Sequence, residues 1–175
     1  MRTNDQASIV LIKIRRAILI ACTLSVIPVG AANATCTGIA CSCSISAEPL
    51  NFGTYNPINS SNVDAAGNVS VSCGALLVGF NVSYEMTLSS GGSGNLLNRE
   101  MSNGGDTIAY NLYTNSSRTT IWGDGAGGTG SITNSYLLTL VNNRTDNFPI
   151  YGRVLSGQNV SAGAYSDSLV ATVIF

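Results

Sequence analysis

Histidine is absent from this chain of 175 residues, and no lysine follows Lys13. General acid–base catalysis at neutral pH leans on His, or on a Lys or carboxylate of tuned pKa. A serine nucleophile likewise needs a base beside it. Without either base, and with the acids scattered through turns and strand ends, the expectation is a non-enzyme with no cofactor. Charge is also scarce, at 10% of residues. Beyond residue 34 the cations are Arg99, Arg118, Arg144 and Arg153, against eight acids, a net of −4. That leaves no electrostatic footprint for nucleic acid or an anionic membrane. Amphipathic helical periodicity is missing too. The longest apolar run, 17–31, is shorter than the ~20 residues a spanning helix needs, so no membrane insertion of the mature chain is expected.

Two motifs fail on what they lack. "GDGAGGTG" (123–130) has no Gly-Lys-Ser/Thr for a phosphate loop. A lone Asp124 gives calcium too little charge, and no repeat follows. The cysteines lack both His and the paired C-x2-C spacing of a zinc site.

What is present starts with an export signal. Arg2, Lys13, Arg15 and Arg16 precede the apolar run, and Ala32-Asn33-Ala34 satisfies the small-x-small rule for signal peptidase. Cleavage is expected between Ala34 and Thr35. A lipobox-like alternative, Leu19 to Cys22, has too short an apolar stretch before Cys22. Residues 1–34 are thus set aside as a signal peptide, and 35–175 make one domain large enough to bury a core.

Cys36, Cys41, Cys43 and Cys73 survive cleavage. An even number behind an export signal implies disulfides in an oxidising compartment. A 41–43 bridge is disfavoured. Two connectivities stay open, 43–73 with 36–41 or 36–43 with 41–73, and the first is favoured.

Apolar residues then recur at alternating positions between turn signals, the pattern of an all-β chain. "NVSVSC" (68–73) sets Val69, Val71 and Cys73 on one face. Residues 78–89 put Phe80, Val82, Tyr84, Met86 and Leu88 on one side. Stretches 107–113, 135–141, 148–154 and 164–175 read as further strands. Gly-, Asn- and Asp-rich segments at 89–95, 102–106, 123–130 and 156–164 supply the turns. About seven or eight short strands with alternating inward faces predict a β-sandwich.

Taken together, "CSISAEPLNFGTYNP" from Cys43, "GNVSVSC" ending at Cys73, "AYNLYTNSSRTTIWGDG" (109–125) and "FPIYGRVLSGQNVSAGAYSDSLVATVIF" (148–175) resemble the spore coat protein U domain family. That family includes subunits of Csu-type (archaic) chaperone–usher pili. The resemblance implies an immunoglobulin-like β-sandwich that is incomplete, missing its final strand. A periplasmic pilus chaperone would lend a strand, and at the outer-membrane usher another pilus subunit would replace it, which is strand addition to an open edge. Cys43 and Cys73 match the family's inter-strand disulfide. Residues 165–175 match its last strand, so Tyr165, Leu169, Ala171, Val173 and Phe175 are expected to border the groove, with the Phe175 carboxylate docking on the chaperone. Asn98-Arg99-Glu100-Met101 matches a structural element, and Trp122 and Asp124 match a turn without chemistry.

The N-terminus departs from the family pattern. "TCTGIACS" (35–42) is shorter than a donor strand and carries two extra cysteines, so a minor rather than a rod-forming subunit is expected, exported through the periplasm to a cell-surface pilus. The alternative is a self-complete secreted or coat protein, with the missing strand supplied by 35–42 or 123–134. Non-reducing peptide mapping of the exported protein is expected to find Thr35 at the N-terminus, Cys43 bridged to Cys73 and Cys36 to Cys41.

Overall fold

A computed structural model of the chain describes residues 7–8, 42–58, 61–74, 80–138 and 143–174. The expected export signal and Cys36 and Cys41 therefore lie outside the described residues, apart from a two-residue strand, β1 (Ala7–Ser8), paired with β3 (Asn51–Gly53).

The described residues form an all-β, immunoglobulin-like sandwich. One sheet has five strands in the order β2 (Ser42–Ala47), β4 (Val63–Gly74), β9 (Asn143–Val154), β7 (Thr107–Tyr113) and β6 (Arg99–Ser102). The facing sheet has three, in the order β10 (Ala171–Ile174), β5 (Phe80–Leu88) and β8 (Ile132–Leu138). All these ladders are antiparallel.

Alternation accounts for the core. Val69, Val71 and Cys73 of β4 and Val82, Tyr84, Met86 and Leu88 of β5 are buried between the sheets, as their period-2 placement predicts. Edge-on aromatic contacts lock the layers: the Tyr84 ring lies 6.3 Å from both Tyr136 and Phe148, and Phe52 lies 5.9 Å from Tyr110. The Phe52 ring crosses β9 at Gly152, where a Cβ would stand 2.7 Å from the ring, so only glycine fits. The lone tryptophan, Trp122, is buried and donates its indole N–H to the Met86 carbonyl at 3.2 Å, which joins the loop after β7 to the centre of β5.

Cys43 and Cys73 stand opposite one another in the β2–β4 ladder and form a disulfide with Cα atoms 4.1 Å apart. Both are buried, so the bridge fastens the outer strand β2 to the sheet from its core side.

Several strands depart from the sequence pattern. β4 reaches back to Val63 and β9 to Asn143, beyond their apolar alternation, because residues 63–67 pair with 150–154 and residues 143–147 pair with 70–74, and β8 begins at Ile132. The stretch 164–175 is not one strand. Ser166 bridges Ser102 of β6, and only Ala171–Ile174 pairs with β5. This segment leaves one sheet and joins the other.

The Cys43–Cys73 bridge spans 30 residues, a loop for which chain entropy predicts about 3–4 kcal/mol. Replacing both cysteines by alanine is expected to lower the unfolding free energy by that amount, read by urea denaturation.

Candidate functional site

Two strands each keep one unpaired edge on the same side of the sandwich. Among the described residues β2 is bonded only to β4 and β10 only to β5. Their Cα atoms come within 8 Å of each other, yet they belong to different sheets. Unpaired N–H and C=O groups along such an edge form a template for another strand.

The crossing segment that delivers β10 is held by polar contacts. The Tyr165 hydroxyl donates to the Ser161 carbonyl at 2.9 Å. Asp167 is buried, accepting from the Tyr110 hydroxyl at 2.8 Å and from the Gly92 amide at 2.9 Å. Gly91, at φ 70°, is required here because a Cβ would strike the Asp167 carboxylate. Ser89 then engages Val170 twice: its amide donates to the Val170 carbonyl and its Oγ accepts from the Val170 amide. Burial, reinforced by the neighbouring carboxylate, pushes the Tyr110 phenol well above its ordinary pKa, so it stays a donor.

Beneath this segment sits Arg99, with no exposed surface. Its guanidinium donates to the carbonyls of Ser89 at 2.8 and 3.0 Å and of Trp122 at 2.8 Å, and to Asn111 Oδ1 at 2.6 Å. Burial lowers its pKa, with the Tyr110 and Asp167 electrostatics opposing that shift. A β6 side chain thereby ties down the end of β5, on which β10 rests.

The expected groove residues fall as follows. Tyr165, Leu169, Ala171 and Val173 all lie on the core side and are buried, so β10 presents its backbone rather than these side chains at the open edge. Phe175 lies outside the described residues, as do Ala34 and Thr35. Asp124 closes its own turn, accepting from the Ala126 amide and the Thr129 hydroxyl. Ile132 to Leu138 occupies the opposite edge of β5 from β10, so 132–134 does not fill the open side. No group of three or more metal-ligating side chains occurs among the described residues.

Sequence reasoning missed Asp167. The signal was there: it shares the alternating register of Tyr165, Leu169, Ala171 and Val173, which places an acid on the buried face.

Fold and site together define a disulfide-bonded all-β sandwich in which, among the described residues, β2 and β10 each keep one open edge. The model for the Spore Coat Protein U domain matches residues 29–172, and the chain belongs to that family. It is 34% identical to Protein U of Myxococcus xanthus over 134 residues, 72% of this chain and 71% of that protein. A solved CsuC–CsuE chaperone–tip adhesion subunit pre-assembly complex, from archaic chaperone-usher Csu pili of Acinetobacter baumannii, includes a chain with 20% identity and a TM-score of 0.46. The match covers 78% of this chain and 40% of that one.

Asp167→Ala leaves the buried Tyr110 hydroxyl and Gly92 amide without their acceptor. The expected loss is about 1–3 kcal/mol. Amide exchange should rise first in 171–174, measured by hydrogen–deuterium exchange.

Proposed function

We propose that this chain is a structural, minor subunit of a bacterial chaperone–usher pilus, serving surface attachment and biofilm formation. The observation that carries it is the free edge of β10 facing the free edge of β2. In a family of sandwich domains, two open strands bordering one side are what an incomplete immunoglobulin-like fold offers a donor strand. The incoming strand would pair with β10 by backbone hydrogen bonds and read register through alternating side chains. A periplasmic chaperone fills that place first, and at the outer-membrane usher another pilus subunit takes over. The exported chain ends on the cell surface, and its chemistry is assembly rather than catalysis. The shortness of 35–42 supports the minor role, since a short segment with two cysteines makes a poor donor.

A self-complete coat protein is the second reading, favoured by the close approach of β2 and β10, which narrows the space for a further strand. Periplasmic expression with and without the cognate chaperone separates the two. The pilus reading expects a stable complex of one subunit with one chaperone, and aggregation or proteolysis of the subunit alone. Stable, monomeric, protease-resistant protein without the chaperone overturns it.

A further inference from the structure

The outer face of the five-stranded sheet, away from the β2 and β10 edges, carries a cluster of charged side chains. Asp64 of β4 is gripped by two arginines. Arg153, its neighbour in register on β9, reaches it with Nε at 2.7 Å and Nη2 at 2.8 Å. Arg118 arrives from the loop after β7, with Nη1 3.2 Å from Asp64. The hydrogen bond from Arg153 holds the Asp64 carboxyl below the usual carboxylate range, so it stays charged. Two of the four arginines beyond residue 34 therefore share one acid, a local excess of positive charge on an otherwise acidic chain. Among the described residues, neither Nη2 of Arg118 nor Nη1 of Arg153 donates a hydrogen bond to the protein, and the two side chains keep 15% and 30% of their surface exposed.

Arg118 is also the one non-glycine residue at positive φ among the described residues, at 56°. A left-handed non-glycine backbone costs about 1–2 kcal/mol, and such strain concentrates at functional sites. The strain sets the guanidinium over the Tyr151 ring, 5.8 Å from its centroid, with Nε donating to the Gly152 carbonyl. Tyr151 pairs across the ladder with Tyr113.

Away from this cluster the β4–β9 face continues as a flat, uncharged ladder. Ser70 donates to Asn147 at 2.6 Å, Asn68 to the same oxygen at 3.3 Å, and Thr145 to Ser72 at 3.1 Å. From Asp64 to Ser72 it runs about 27 Å at strand rise. Among the described residues no large exposed aliphatic lies within β4 or β9, and Leu155, just past the end of β9, is the nearest one. Hydroxyls, amides, tyrosine rings and paired guanidinium groups suit a chain of sugars bearing carboxylates.

We propose that this face docks an acidic, uronate-type polysaccharide: Arg118 and Arg153 bind a sugar carboxylate beside Tyr151, and the Ser, Asn and Thr ladder bonds the sugar hydroxyls that follow. The occupant is set by charge complementarity and by the polar, non-aliphatic ladder, and it is independent of how the β10 edge is filled.

The test uses the full exported chain in whatever assembled form it is recovered, applied at physiological salt to immobilised polygalacturonate, neutral dextran and polyglutamate. Retention is expected on polygalacturonate alone. Arg118→Gly combined with Arg153→Gln should weaken it at least tenfold. Because glycine relieves the positive φ, Arg118→Gly should leave the melting temperature unchanged or raised, whereas a purely structural Arg118 would lower it. Arg144→Gln, on the far part of β9, should bind as the parent does. Failure to bind polygalacturonate, equal binding by the double variant, or equal retention on polyglutamate overturns the proposal.

Discussion

A guanidinium with no exposed surface must find acceptors for its donors or the fold loses several kcal/mol. Among the described residues Arg99 has no carboxylate within ion-pair distance, and backbone carbonyls with one amide oxygen accept its donors instead. Those carbonyls belong to the end of β5 and to the Trp122 loop. Ser89 in turn bonds Val170, the residue before β10, so a residue of one sheet braces the strand end on which the last strand of the other sheet rests. Asp167 is held separately, by Tyr110 and Gly92. Polar networks of this kind are high-stakes, because a half-satisfied version is worse than an apolar core.

Much of this was legible beforehand. Clean alternation in 68–73 and 80–88 marked both the strands and their buried faces, because a half-buried strand must repeat with period 2. The turn segments were legible for a similar reason, since glycine at positive φ is a local demand; Gly104 and Gly157 sit at 91° and 76°. The front half of β9, 143–147, carries no apolar residue, and that of β4, 63–67, only small or half-buried ones, so apolar alternation gives no strand signal in either. The division of 164–175 was also hidden. Alternation runs through Tyr165, Leu169, Ala171 and Val173, interrupted only by the acid at Asp167, and it reports which face is buried without reporting which sheet supplies the hydrogen bonds. The family resemblance identified the disulfide pair, while the ladder register shows why it fits: Cys43 and Cys73 stand opposite one another.

The composition makes sense against this architecture. A sandwich with few charges and a hydroxyl- and amide-rich exterior has no long-range field with which to sort its partners. On the proposed function, recognition falls to backbone edges and local clusters. The β2 and β10 edges would be of the first sort, generic in chemistry and specific only through register. The Arg118–Asp64–Arg153 cluster is of the second, a concentrated charge on a face otherwise devoid of it. The two lie on different parts of the molecule, one at the side of the sandwich and one on its outer surface.

The position of the disulfide has a mechanical side. Cys43 is the second residue of β2, and its sulfur is joined to Cys73 near the end of β4, whose whole length is laddered to β9. Tension entering the chain at Ser42 meets a covalent strut after a single residue. It cannot peel β2 away one hydrogen bond at a time, and passes instead into the middle of the sheet, where the strands must shear together to yield. A domain that borders an open side on β2 thus keeps that border stiff under load.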